Sequence, residues 1–236
     1  MFQYYGSKTT LLKYYPKPVE DKIIEPFAGS AKYALKYFEK EVLLFDKNEE
    51  LVKVWHFLQS ASEKDILSLP KLKHGQKLDE FKLSEGEKLL MGLLIVASPF
   101  TTRNYTCSKM SDFAKGDNPL SKIAQNLHKI RHWDIRHGSY EDIENQKATW
   151  FIDPPYFSGG HKYPMSNKKI DFALLGEWCK NRIGQIIVCE NMSANWLDFK
   201  PICVHNGVNN KLSTEAIWTN QPTSYGIEQG YLFSIA

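Results

Sequence analysis

The sequence predicts an α/β fold: a largely parallel sheet flanked by helices and interrupted by a small, mainly helical inserted lobe. Three observations carry this. Short apolar runs alternate with amphipathic stretches from Lys22 to Gln59, in the order strand, helix, strand, helix that builds a parallel sheet. The rhythm lapses after His56 and returns near Trp133. Between them, Pro99 to Pro119 is rich in Thr, Asn, Ser, Gly and Asp, and loops of that length are uncommon unless they are functional or disordered. The expected division is residues 1–55 and 131–236 for the sheet-bearing domain and 56–130 for the lobe.

Taken in order, Lys22 to Phe27 reads as a buried strand ending at Pro26-Phe27-Ala28-Gly29. Ser30 is placed to cap a helix running through Lys40, with Ala31, Ala34, Leu35 and Phe38 on one face. Val42 to Phe45 is a second buried strand, and Glu49 to Gln59 an amphipathic helix. Ser62 to Leu69 and Ser84 to Ala97 are helical, the latter with capping-box spacing from Ser84 to Glu87, although Gly86 weakens its first turn. Leu120 to Ile130 is helical again. Strands resume at Trp133 to His137 and Trp150 to Ile152. A helix follows at Phe172 to Arg182, then strands at Gln185 to Cys189, Pro201 to His205, Glu215 to Thr219 and Tyr231 to Ile235.

The bulk numbers exclude several classes. Apolar content of 42% and charged content of 24% are ordinary globular values. No apolar run approaches the ~20 residues that span a bilayer, and the start, Met1-Phe2-Gln3-Tyr4-Tyr5, has no secretory pattern. Four scattered cysteines, with no C-x-x-C pair, fit reduced thiols in a cytoplasm better than zinc or disulfides. His74, His128, His132 and His137 lack metal-ligand spacing, so no metal is expected. The net charge is only +3, but Arg103 to Arg136 holds seven cations and three anions. A basic stretch in a near-neutral chain points to a phosphate-rich partner or to a solvated face.

The chemistry concentrates in Asp153-Pro154-Pro155-Tyr156, after the apolar run Thr149 to Ile152. Two prolines cannot continue a central strand. The chain must therefore leave the sheet at its carboxyl edge, where open α/β sheets bind ligands. A carboxylate, a prolyl carbonyl and an aromatic face are presented together, a set that suits a planar base with an amino group. Glu25 to Ala31 joins the first strand to a helix, and its small residues let backbone approach a ligand. Asp46 ends the second strand, where a carboxylate can hold both hydroxyls of a ribose. The G-x-G-x-x-G phosphate fingerprint is missing, which favours a nucleoside without phosphates.

Tyr4-Tyr5-Gly6-Ser7-Lys8, Glu25-Pro26-Phe27-Ala28-Gly29, Asp46 and Asp153-Pro154-Pro155-Tyr156, in that order, resemble the Dam-type adenine-N6 DNA methyltransferases. Val188-Cys189-Glu190-Asn191 and Glu215 to Asn220 look like the closing strands of that family. The resemblance covers both ends of the chain. It implies a Rossmann-like S-adenosylmethionine-dependent methyltransferase sheet with a target-recognition lobe in the middle, acting on double-stranded DNA. It leaves open whether a cognate restriction endonuclease accompanies the enzyme.

The resemblance implies roles residue by residue. Lys8 holds the carboxylate end of S-adenosylmethionine, with Tyr4, Gly6 and Ser7 beside it. Glu25, Phe27, Ala28 and Gly29 line the cofactor pocket, and Asp46 takes the ribose. The family usually has Asp-Phe about 15 residues before D-P-P-Y; here Ser139-Tyr140 stands there. Loss of that charge-assisted bond to the adenine weakens binding by about 1 kcal/mol. Asp153 and the Pro154 carbonyl accept the two N–H bonds of the target amine, and Pro155 belongs to the same catalytic tetrad. Tyr156 stacks on the base once it has left the duplex. His161, Lys162 and Tyr163 follow in a Gly-rich loop that either contacts the flipped nucleotide's backbone or is a solvated loop. In the insertion itself, Arg103, Asn104 and Tyr105 suit the reading of bases or form a plain turn, while Lys109, Lys115, Lys122 and Lys129 suit contact with phosphate. Rival readings at this stage are a cytosine-N4 methyltransferase, an RNA or protein-amide methyltransferase, and a non-catalytic DNA-binding relative.

Overall fold

The computed structural model describes residues 1–2, 4, 8–96, 105–158, 167–206, 212–221 and 234–235. Its sheet is built from β1 (Lys22–Glu25), β2 (Glu41–Asp46), β3 (Asp134–His137), β4 (Ala148–Ile152), β5 (Gly184–Asn191), β6 (Lys200–Asn206), β7 (Leu212–Thr219) and β8 (Ser234–Ile235). The spatial order is β3-β2-β1-β4-β5-β7-β6-β8. Pairings from β3 across to β5 are parallel. β7 runs antiparallel between β5 and β6. The α/β class and the largely parallel, Rossmann-like sheet implied by the sequence are therefore what the chain adopts.

The order matters for function. The chain winds outward from β1 to β2 to β3, then returns to place β4 on the other side of β1. The reversal opens a crevice outside the carboxyl ends of β1 and β4. Glu25, Asp46, His137 and Ile152 are the last residues of the four strands that meet it.

Both faces of the sheet are covered, which explains why β4 reads as an unbroken apolar run. On one face Ile24, Leu43, Trp150, Ile152, Ile186 and Val188 pack with Leu175 and Cys179 of the helix Phe172–Lys180. Asp171 caps that helix by accepting from the amides of Ala173 and Leu174. On the other face Ile23, Leu44, Phe151 and Ile187 share a core with Val54, Trp55 and Leu58. These last lie on the helix Glu49–Ser60, whose buried residues recur at helical spacing. The same apolar cluster continues into the middle of the chain through Leu90, Met91, Ile95, Cys107, Leu120 and Ile123.

The middle segment is mainly helical. Helices Glu63–Leu67 and Glu85–Leu94 both open with capping boxes, at Ser62 with Asp65 and at Ser84 with Glu87. Gly86 looked like a weakness in sequence, but a Cβ there would lie 2.8 Å from atoms of Phe57. It is the point where two helices come together. Asn118 caps Pro119–Ala124, and a 3-10 turn at Leu127–Ile130 follows, so the single helix expected from Leu120 to Ile130 breaks at Gln125. Thr106 bridges to Lys77, and Tyr105 O accepts from Leu78 N at 2.7 Å, docking the described part of the irregular stretch.

The first helix differs from expectation. It spans only Lys32–Lys36, and its cap is Ala31, not Ser30. Ala31 has φ 44°, making it the one non-glycine with positive φ among the described residues. Such a conformation costs an alanine about 1–2 kcal/mol. Glu25 supplies what a capping serine would have: its Oε1 accepts from Ala34 N at 2.7 Å. At the other side of the sheet Gly184 has φ 106°, and a Cβ there would lie 2.2 Å from Ala148 O. Only glycine fits this close approach of β5 to β4.

Candidate functional site

A cleft of about 240 Å³ lies at the carboxyl edge where the strand order reverses. Its floor is the turn after β1. Ala28 N donates to Phe45 O at 2.9 Å, Trp55 Nε1 donates to Gly29 O at 3.0 Å, and Gly29 N donates to Asp46 Oδ2 at 3.0 Å. Gly29 has φ 48°, and a Cβ there would stand 3.6 Å from the Tyr4 ring. The turn is thus held open to a ligand by its neighbours, with little side chain of its own.

Asp46 does two things at once. Its Oδ2 fixes the Gly29 amide, and its Oδ1 accepts from Asn48 N at 2.9 Å. A carboxylate offers about four lone-pair directions, so acceptor capacity remains for a diol. Burial raises its proton affinity, and the two amides oppose that. Glu25 is buried, with its pKa pushed up to about 8, chiefly by burial. The Ala34 amide opposes this shift, and the nearby Asp153 charge adds to it.

One end of the cleft is flat and apolar. Phe27 and Tyr140 have ring centroids 5.6 Å apart, and Ile170 joins them in the lining. Ser139 sits at the rim. Its amide donates to Asp142 Oδ2 at 2.7 Å and its hydroxyl to Glu141 Oε2 at 3.1 Å. Glu141 also lines the cleft, so the charge missing at Ser139 is restored two residues later.

The other end holds Asp153. Its carboxylate pairs with Lys8 Nζ at 3.1 Å. Burial pushes its pKa up to about 6, against the pull of the Lys8 ammonium and with the push of Glu215. Pro155 lines the cleft beside it, and Pro154 is buried. Tyr156 is half-buried. Its hydroxyl donates to Glu215 Oε1 at 2.5 Å and accepts from Lys8 Nζ at 2.6 Å. The chain beyond is pinned by buried Glu190, which accepts from Phe157 N and Asn191 N.

The structure thus brings Tyr4, Lys8, Glu25, Phe27, Ala28, Gly29, Asp46, Ser139, Tyr140, Asp153 and Pro155 around one cleft. The Lys8 ammonium is engaged by Asp153 and Tyr156 at the same end of the cleft. Gly6, Ser7, Arg103, Asn104, His161, Lys162 and Tyr163 lie outside the described residues. Tyr105, Lys109, Lys115 and Lys122 are exposed. Other cations of the basic segment serve the fold. Arg131 donates to the carbonyls of Gln59 and Ala61, Arg136 pairs with Asp134, and Lys129 sits 4.9 Å over the Phe38 ring.

Sequence reasoning missed Glu141, Lys169, Ile170 and Asp171, which close the far wall of the cleft. It also gave no role to Glu190 and Glu215. A glutamate within an apolar strand was the available signal in both cases, since such a residue is rarely buried unless paired. Among the described residues no group of three or more His, Cys, Asp or Glu side chains is arranged to hold a metal ion, and no helix is long and apolar enough to cross a membrane.

No curated protein matches the chain. Residues 4–109 match the model of the D12 class N6 adenine-specific DNA methyltransferases. That span includes Lys8, the turn at Gly29 and Asp46, which floor the cleft, and its family chemistry agrees with the carboxylate that β4 delivers there. Over this segment the chain is similar to the D12 class N6 adenine-specific DNA methyltransferases.

Proposed function

We propose that the cleft binds S-adenosylmethionine and that Asp153-Pro154-Pro155-Tyr156 presents the flipped adenine of double-stranded DNA to it. One observation carries this reading. A carboxylate at the end of β2, an open glycine turn and a half-buried carboxylate beside two prolines converge on one cavity at the sheet's reversal. The residues fit the group. Phe27, Tyr140 and Ile170 make a slot for a planar base, Glu141 and Ser139 accept from its amino group, and Asp46 takes the ribose hydroxyls. Tyr4, Ala28 and Gly29 flank the chain that leads to Lys8 and Asp153.

The bound donor supplies a methyl group on a positively charged sulfur. The protein's residues do the rest. Asp153 and the Pro154 carbonyl accept the two amino N–H bonds of adenine, which turns the nitrogen lone pair toward the methyl. When bound, the donor would pass its methyl group to that nitrogen and keep the S–C electron pair. The new cationic nitrogen then releases one proton. A carboxylate of ordinary pKa, ~3.9, is a weak acceptor for it; burial has pushed Asp153 up to about 6, which improves it as proton acceptor and as stabiliser of developing positive charge. Tyr156 stacks on the extracted base.

The lobe at residues 56–130 reads the site. Tyr105, with Arg103 and Asn104, meets bases, and the exposed Lys109, Lys115 and Lys122 meet phosphate. His161, Lys162 and Tyr163 follow the flipped nucleotide. The test is transfer of labelled methyl from S-adenosylmethionine to DNA from a host without adenine methylation. Wild type transfers label, and Asp153→Ala binds S-adenosylmethionine in calorimetry without transferring it. Near wild-type transfer by D153A sinks the mechanism.

A further inference from the structure

The geometry points to Glu215 as a positioning residue for methyl transfer, acting through Tyr156 and Lys8 on Asp153. The inference rests on Asp153 being the group that holds the target amine.

Glu215 lies on β7, opposite Asn191 at the end of β5. It is 2% exposed and stands behind the cleft. Its Oε1 accepts from Tyr15 Oη at 2.6 Å and Tyr156 Oη at 2.5 Å. The Tyr156 hydroxyl accepts in turn from Lys8 Nζ, and the same ammonium sits 4.3 Å over the Tyr156 ring. Lys8 Nζ is 3.1 Å from Asp153 and 3.7 Å from Glu215. Three segments far apart in sequence therefore meet at one carboxylate: the start of the chain, the loop after β4, and the antiparallel half of the sheet.

Two consequences follow. The hydroxyl of Tyr156 is held at one edge and one ring face is covered by the ammonium, so the face left to stack on a base has a fixed direction. The ammonium is shared between two carboxylates, so Lys8 neither drifts from Asp153 nor neutralises it fully. Burying such a cluster is costly, and an apolar set of the same volume would fold at least as well. The arrangement makes sense as placement of the reacting groups.

The charged groups facing Asp153 are Lys8, Glu190 on β5 and Glu215 on β7, with Glu25 on β1, protonated below about pH 8, and Tyr15, Tyr156 and Cys189 as neutral neighbours. Glu215→Gln keeps an acceptor for both tyrosines and removes one negative charge. Lys8 is then shared with one carboxylate fewer. Both changes make Asp153 ionise more readily, so the acid limb of the kcat profile moves to lower pH.

The experiment measures methyl transfer from pH 5 to 8 on DNA from a host without adenine methylation, with wild type, E215Q, Y156F and D153A. E215Q is expected to melt cooperatively, to bind S-adenosylmethionine within about threefold of wild type, and to lose about tenfold or more in kcat. Its acid limb is expected to shift down by about half a pH unit or more. A kcat and acid limb equal to wild type overturn the proposal, as does a kcat loss with the limb unmoved, which is what a merely structural role gives. Should E215Q fail to fold, Y156F cuts the bridging hydroxyl while keeping the ring. A kcat lowered about fivefold or more with DNA affinity retained supports the proposal, and an unchanged kcat overturns it. If D153A transfers methyl normally, the reading of Asp153 fails and this proposal falls with it. If D153A is inactive while E215Q behaves as wild type, only the role of Glu215 fails.

Discussion

Glu25 gives the sharpest physical prediction. It is 3% exposed, its Oε1 accepts from Ala34 N, and its pKa rises from 4.5 to about 8. The folded protein therefore holds this proton until about pH 8, while the unfolded chain releases it near 4.5. Between those values the unfolded state binds fewer protons than the native state, so stability falls as pH rises, by about 1.4 kcal/mol per unit. The whole interval bounds the loss at about 5 kcal/mol. Glu25→Gln keeps the shape and the acceptor for the Ala34 amide and cannot ionise. It should match wild type near pH 5 and exceed it by about 3–5 kcal/mol at pH 8. For a chain of this size each kcal/mol moves Tm by ~2–4 °C, so the two melting curves should separate by at least about 6 °C at pH 8. Thermal melts of the ligand-free proteins followed by circular dichroism, from pH 5 to 8, make the comparison, and the difference cancels groups common to both. Melting temperatures that stay parallel across that range would refute the reasoning.

Other perturbations separate cofactor, fold and DNA. Asp46→Ala removes the acceptor at the end of β2 and should weaken S-adenosylmethionine binding about tenfold or more in calorimetry; equal affinity would remove Asp46 from the site. Gly184→Ala sets a Cβ against Ala148 O at a backbone angle that alanine avoids, and should cost about 3 kcal/mol or more in urea unfolding; a loss under about 1 kcal/mol contradicts the close approach. Replacing Lys109, Lys115 and Lys122 together with alanine should lower the salt-dependence slope of DNA binding by about 3, and an unchanged slope places the DNA elsewhere.

Much of the sheet was legible because strands buried on both faces read as apolar runs, and because prolines mark where a strand must stop. The turn at Gly29, Asp46 and Asp153 could be placed at one edge from topology alone. Helix starts that rely on local chemistry, Ser62 and Ser84, were legible for the same reason. What stayed hidden was non-local. Glu25 replaces the cap expected from Ser30 because a buried carboxylate from the preceding strand reaches the Ala34 amide. Gly86 reads as a poor helix residue until Phe57 is seen against it. The partnership of Lys8 with Tyr156 joins residues 148 positions apart, and Glu215 reaches Tyr15 across 200. No local pattern encodes such contacts. The basic segment misled by its count, since Arg131 and Arg136 are consumed by carbonyls and by Asp134.

The central claim is that Asp153 and its loop direct a methyl group onto the adenine amino nitrogen of DNA. Its most direct test is nucleoside analysis by mass spectrometry of DNA from cells expressing the chain, in a host that lacks DNA amino-methylation, beside cells expressing D153A. The account predicts N6-methyladenine with wild type and none with D153A. N4-methylcytosine in its place, or N6-methyladenine undiminished with D153A, would contradict it.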